Sequence, residues 1–211
     1  MNTQNKIATL FLTLCCLLVL ASSASAQGEN MLQNPSFEDE RQCCKTPSGW
    51  RSCGPNSETQ PDIQPGAFGV YLPPQHGESY LGMVVRNDGT TESVLQELRD
   101  PMKKGHTYKL STWAAKSNEL VSYNRKVMDF SKYEGPVILK IYGGNLGCQK
   151  YTLLATSIPI ENKIWENYNF MFTIEDFDFS NIIFEVSHVS TSQEYYNGNL
   201  LLDNCSLTQV K

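Results

Sequence analysis

The sequence lacks the residues and motifs that mark most hydrolases and metalloproteins. It has only three histidines, and His76, His106 and His188 fall in different predicted elements. No G-x-S-x-G motif, H-E-x-x-H motif or phosphate-binding glycine loop is present. The cysteines include no C-x-x-C pair, so their spacing predicts no zinc site. The common signatures of serine hydrolases, zinc proteases and nucleotide-binding enzymes are therefore excluded.

Basic charge and long apolar runs are also scarce. The formal net charge is −5, which argues against nucleic acid as a partner. The apolar run 7–20 is short for a membrane span, and no second run follows. It follows Lys6 and precedes an Ala-Ser-Ala site at 24–26, which is the pattern of a signal peptide over 1–26. We expect a mature chain without a membrane span that is secreted, periplasmic or on the cell surface, although an uncleaved anchor is an alternative.

Strand signals dominate the rest of the chain. Short segments rich in aromatic and β-branched residues alternate with turn residues, which predicts one all-β, antiparallel sandwich. The predicted strands are 30–38, 79–86, 91–98, 106–116, 136–144, 151–160, 165–174, 181–189 and 199–209. Two segments differ from this pattern. Residues 54–77 carry five prolines and predict a long ordered loop, and residues 117–133 predict a helical turn.

Five cysteines follow the predicted signal peptide, and in an exported protein cysteines are more often bridged than free. Cys44 and Cys53 flank a Gly-Trp pair at short range. Cys148 follows a strand whose loop could reach Cys205. We therefore predict the pairs 44–53 and 148–205, which leave Cys43 free.

Several motifs together resemble a known family. The segments NPSFE (34–38) and GW (49–50), with LLLDNCSL (200–207) near the end, are similar to galactose-binding-type jelly rolls, which include carbohydrate-binding module families 4, 9 and 22. The stretch 140–160 looks more narrowly like a module of secreted and surface proteins of gliding-type bacteria. The resemblance implies a single galactose-binding-domain-like jelly roll over 27–211.

One carboxylate needs an explanation. Asp203 is in step with Leu201 and Cys205 along the last strand, among residues expected to be buried. A buried carboxylate needs a compensating partner, which the residues alone leave open as a lysine or backbone N–H groups. The resemblance implies a third partner, a structural calcium ion held by Glu38 and Asp203, and calcium does prefer oxygen ligands.

Sugar recognition requires flat aromatic faces and a few fixed polar groups. Trp50 corresponds to a core residue in the related modules. The candidate sugar-binding residues are Trp113, Tyr71, Tyr133, Tyr195 and Tyr196.

The resemblance implies a non-catalytic carbohydrate-binding module with an oligosaccharide or polysaccharide partner. One alternative is an interaction or structural module that binds cell-envelope proteins. Another is a glycoside hydrolase, which needs two suitably separated carboxylates. The densest acidic groups are 38–40 and 175–178.

Overall fold

The computed structural model describes residues 28–190 and 194–210, so the predicted signal peptide 1–26 lies outside the described residues. No helix in this part of the chain is long and apolar enough to cross a membrane. The strands are β1 (Arg51–Ser52), β2 (Asp62–Gln64), β3 (Tyr80–Val85), β4 (Ser93–Met102), β5 (Thr107–Ala115), β6 (Val121–Asn124), β7 (Asp129–Lys132), β8 (Val137–Gly144), β9 (Thr152–Thr156), β10 (Glu166–Thr173), β11 (Phe179–His188) and β12 (Gly198–Gln209). A short 3-10 turn spans Ala67–Gly69.

Ten of these strands form two antiparallel sheets of five. The front sheet has the order β10-β5-β12-β3-β2, and the back sheet has the order β1-β4-β11-β8-β9. Strands β3, β4 and β5 lie in the front, back and front sheets in turn, so the chain crosses repeatedly between the two layers. This is the connectivity of a jelly roll. The predicted all-β jelly-roll sandwich is confirmed.

The main core lies between the two sheets. Alternate residues of each strand face inward, such as Leu110 and Leu202 from the front sheet and Phe184 from the back sheet, all fully buried. Trp50 enters this core from the segment before β1, with its ring centroid 5.1 Å from that of Phe37 and 5.3 Å from that of Phe184. The interpretation of Trp50 as a core residue is confirmed.

Two local predictions are wrong. Residues 30–38 form no strand, because the backbone turns at Asn34 (φ 42°) and Phe37 (φ 56°). This segment lies against the last strand through several hydrogen bonds, including the one from Met31 N to Leu207 O at 2.8 Å. The segment 117–133 contains no helical turn and instead forms the β6–β7 hairpin.

A second apolar layer covers part of the outer face of the front sheet. Tyr80, Val84 and Leu201 project from that face, and Leu120 and Tyr133 from the ends of the hairpin pack onto them. The long loop before β3 contributes a further buried residue to the same cluster. The loop and the hairpin are therefore held in place above the sheet, and the space between them is available for a ligand.

A β-bulge in β12 places Asp203 and Cys205 on opposite faces of the front sheet. The pairing of β12 with β5 shifts between Asp203 and Ser206, and Asn204 has a φ of 47°. One inserted residue reverses the alternation. Leu201 therefore packs in the outer cluster, whereas Cys205 packs in the main core. The prediction that Asp203 shares a face with Cys205 is wrong.

The predicted disulfide pairs are also wrong. The structure links Cys53 to Cys148, with Cα atoms 5.4 Å apart. Cys44 and Cys205 are free, and so is Cys43, the one cysteine that was predicted to be free. Cys205 is unavailable to Cys148 because it lies in the core between the sheets, whereas the Cys148 loop lies beside the strand that begins at Arg51.

Candidate functional site

A cavity of about 230 Å³ lies on the outer face of the front sheet, between the β6–β7 hairpin and the long loop before β3. Val84 forms part of its floor, and Phe68 and Tyr123 form parts of its wall. The cavity exists because the hairpin and the loop each bury apolar residues against the sheet without closing over its end. Most of the other lining groups are polar or charged.

Arg86 is the central polar residue of the cavity. It follows β3 on the same face as Val84, and its side chain is largely buried. Its Nη2 donates to Glu92 Oε1 at 2.5 Å, and its Nε lies 3.4 Å from Glu58 Oε2. Its Nη1 is buried and has no hydrogen-bond partner among the described residues. A buried unpaired guanidinium nitrogen loses hydration without replacement, so this atom indicates where a ligand oxygen would bind.

Two carboxyl groups beside Arg86 are unusually weak acids. Burial raises the pKa of Glu92 to about 8, although the Arg86 guanidinium opposes the shift. Burial raises the pKa of Asp62 to about 6, against the effects of a hydrogen bond from Cys44 N (2.8 Å) and the charge of Arg86. Both groups therefore retain protons to higher pH than free acids do. The cavity is less negative near neutral pH than its number of acidic residues suggests.

The aromatic residues of the cavity differ from most of those predicted. Tyr123 and Phe68 present 47% and 36% of their surfaces to solvent, so both are available to a ligand. Tyr133 also lines the cavity, as one of the predicted residues, but it is only 3% exposed. Its ring supports the floor and presents little surface for stacking.

The other predicted aromatic residues lie outside the cavity lining. Trp113 is half-buried on the outer face of the front sheet, at the position that pairs with Asp203. Tyr71 is 73% exposed on the long loop. Tyr195 packs beside His188 with ring centroids 4.9 Å apart, and the half-buried Tyr196 donates from its hydroxyl to Pro136 O at 2.8 Å. The structure does not bring these four residues together with Tyr133.

Asp203 is compensated by backbone N–H groups, the second partner that the residues left open. Its Oδ2 accepts hydrogen bonds from Gln75 N at 2.8 Å and His76 N at 2.9 Å, and its Oδ1 accepts one from Asn204 N at 2.6 Å. Glu38 is held similarly, because its Oε2 accepts from the N–H of Glu78 at 3.0 Å. The long loop therefore binds both carboxylates through its backbone.

The groups around Glu38 and Asp203 differ from the ligands that calcium requires. Calcium binds about six to eight oxygen ligands, whereas the donors around Glu38 and Asp203 are largely N–H groups. Nowhere in residues 28–190 and 194–210 do three or more His, Cys, Asp or Glu side chains form a group that could hold a metal. The donor set falls short of a calcium site on its own, and the calcium site stays a prediction.

Residues 29–192 match the family model described as "Carbohydrate binding domain", CBM_4_9. The chain belongs to this family. The resemblance found in the sequence is confirmed. No curated protein has a matching sequence.

Solved structures share the fold at low sequence identity. A cyclase from Fischerella sp. TAU, solved with 4-(1H-indol-3-yl)butan-2-one, is 15% identical with a TM-score of 0.56, covering 85% of this chain and 96% of that chain. The CBM22-1 xylan-binding domain of Paenibacillus barcinonensis Xyn10C is 13% identical with a TM-score of 0.51, covering 89% and 99%. The enzymatically active domain of bacteriophage CBA120 tailspike protein 4 is 15% identical with a TM-score of 0.51, covering 86% of this chain but 21% of its own. These matches establish a shared fold alone.

Sequence reasoning missed Arg86, Phe68 and Tyr123. A signal for Arg86 was present, because it follows an apolar strand and is in step with Tyr80 and Val84 on one face. A charged residue at the end of such a face points either to solvent or into a site. The choice between these depends on the hairpin that covers it, which the sequence analysis did not predict.

Proposed function

We propose that the protein is a secreted, non-catalytic carbohydrate-binding module. Its cavity beneath the β6–β7 hairpin holds one ring of an oligosaccharide or polysaccharide. Membership in the carbohydrate-binding domain family supports the ligand class. The predicted signal peptide supports secretion.

The unpaired Nη1 of Arg86 is the observation that carries this proposal. A sugar hydroxyl can accept a hydrogen bond from this nitrogen and donate its own proton to a neighbouring carboxylate such as Asp62. Because the Glu58 carboxylate already balances the Arg86 charge, a neutral hydroxyl fits the site better than a carboxylate. We therefore expect neutral sugars to bind in preference to uronic acids.

The size of the cavity supports a small binding unit. Pockets for drug-sized ligands enclose roughly 300–1,000 Å³, whereas this cavity encloses about 230 Å³. One sugar ring fits this space better than a buried chain of several rings. The remaining rings of a longer ligand would extend past the rim.

The test is a glycan panel followed by calorimetric titration of the mature protein. Arg86→Lys retains the positive charge but removes the free Nη1 donor, so we expect affinity to fall by about tenfold, or 1.4 kcal/mol. Arg51→Lys is the matched control, because Arg51 is an exposed arginine paired with Glu97, and its affinity should be unchanged. Absence of binding across the panel, together with co-purification of an envelope protein, would favour the interaction module instead.

A catalytic role is the second candidate, and Asp62 is the observation that favours it. A cavity carboxyl group with a pKa of about 6 can act as a general acid in mildly acidic solution. Release of reducing sugar from any bound glycan, lost in Asp62→Asn with binding retained, would establish an enzyme. Binding without product release would support the non-catalytic module.

A further inference from the structure

The β6–β7 hairpin has an inverted distribution of apolar and polar side chains. Its outward face, which we call the hairpin face, carries Val121, Tyr123 and Phe130, which are 36%, 47% and 69% exposed, with Lys132 opposite Val121 at one end. On the opposite side, Asn124 is only 5% exposed. A hairpin that packs on a domain normally presents its apolar side chains inward and its polar side chains to solvent. Exposed aromatic residues on a fixed element are therefore a feature that requires a reason.

Polar contacts hold the hairpin in this orientation. Asn124 Nδ2 donates to Asn87 Oδ1 at 3.0 Å, and Lys126 Nζ donates to Asn87 O at 3.1 Å. Arg125 Nη1 donates to Ser57 O at 2.8 Å. These bonds fix the polar side of the hairpin to two different loops. The hairpin face is consequently preorganised, and it cannot bury its rings by turning over.

The two rings of the hairpin face form a corner. Tyr123 and Phe130 are directly opposite each other in the β6–β7 register. Their centroids are 5.8 Å apart and their planes meet at 82°. A flat ligand ring that stacks on one of the two aromatic rings would touch the other aromatic ring with its edge. Tyr123 also lines the cavity, so the corner is continuous with it.

We infer that the hairpin face is a second sugar subsite, which stacks the ring that follows the one held in the cavity. This inference rests on the proposed function and specifies its ligand as a chain of at least two rings. The C–H face of a neutral pyranose is apolar and flat, and it would cover Phe130 while its hydroxyls remained in water. The continuity between cavity and corner favours a sugar chain over a membrane or a protein partner.

The experiment measures affinity against chain length. Cello-, xylo-, manno- and galacto-oligosaccharides of one to six units are titrated into the wild-type protein and into Phe130→Ala. In the wild type, affinity for the series that binds should rise by about tenfold between one and three units. Phe130→Ala should abolish that rise and leave monosaccharide affinity unchanged. Phe130→Trp should restore it.

Met171→Ala is the control, because Met171 is 68% exposed on β10 and lies outside the cavity lining. An equal rise with chain length in the wild type and in Phe130→Ala would overturn the inference. Monosaccharide binding without any rise would also overturn it but leave the proposed function intact. No binding by any sugar would refute the proposed function itself. Phe130-dependent binding to anionic vesicles, or self-association through Phe130, would assign the hairpin face to another partner and overturn the subsite.

Discussion

Replacing Asp203 with asparagine should change how stability depends on pH. Asp203 is fully buried, and burial raises its pKa from the ordinary value of 3.8 to about 6, although three backbone N–H groups oppose the shift. Between these two pH values the native state holds a proton that the unfolded chain releases. The free energy of unfolding should therefore fall as pH rises from about 4 to about 6, and the loss should be complete above that.

The size of the Asp203 pKa shift sets how much the free energy of unfolding changes with pH. About two pKa units correspond to at most about 3 kcal/mol, and solvent around the loop reduces this, so we expect about 1–3 kcal/mol. Asp203→Asn removes the titrating group. It also places an amide N–H against some of the donors that now bind the carboxylate, at a cost of about 1–3 kcal/mol that does not vary with pH. The two proteins should therefore differ in how the free energy of unfolding depends on pH, and that difference measures the contribution of the Asp203 charge alone.

Urea unfolding at intervals between pH 4 and 7.5 measures the free energy of unfolding of the wild type and of Asp203→Asn as a function of pH. Glu92 and Asp62 lower the free energy of unfolding by the same amount in wild type and variant as pH rises, so their effects cancel in the comparison. Asp178→Asn is the control, because the hydrogen bonds that this exposed carboxyl group accepts from Lys104 N and Lys103 Nζ lower its pKa. If Asp203→Asn kept the wild-type slope, the argument from burial would be refuted. If millimolar calcium reversed the wild-type slope, a cation would be holding Asp203 ionised.

Three other predictions follow from the structure and the family resemblance. If Glu38 and Asp203 share calcium, excess chelator should lower the melting temperature, and an unchanged melting curve would count against the site. Peptide mapping without reduction should recover Cys53 joined to Cys148, and any other pairing would contradict the structure. Trp50→Ala should lower the free energy of unfolding by about 3–5 kcal/mol in urea titrations, because it leaves a cavity beside two aromatic rings; a loss below about 1 kcal/mol would show that the core collapses into the space.

The strands of the sandwich were predictable because each carries a simple repeat. The segment 165–174 alternates Tyr168 and Phe172 with polar residues, and it forms β10 as expected. The segments 79–86 and 181–189 are apolar runs between turns, and they form β3 and β11. In these cases local composition and the tertiary structure favour the same state.

The candidate site was less predictable because it depends on contacts between distant segments. The segment 117–133 predicted a helical turn instead of the β6–β7 hairpin, because its apolar residues face solvent and follow no core pattern. The bulge at Asn204 adds a single residue and places Cys205 on the face opposite to Asp203, which alternation alone cannot detect. The partner of Cys148 depends on which loops meet across the back sheet. None of these is encoded within one window of sequence.

The contact between the first and last described segments has a practical consequence. Gly28 lies beside Gln209, with the position of a Cβ on Gly28 only 3.4 Å from the Gln209 carbonyl oxygen. A short glycine linker could therefore join residue 210 to residue 28 without moving the sandwich. New termini could be opened at the exposed turn between Lys104 and Gly105, which lies outside the cavity lining. Such a circular permutant would place both chain ends at a different edge, and a reporter domain could then be fused there while the proposed sugar site stays intact.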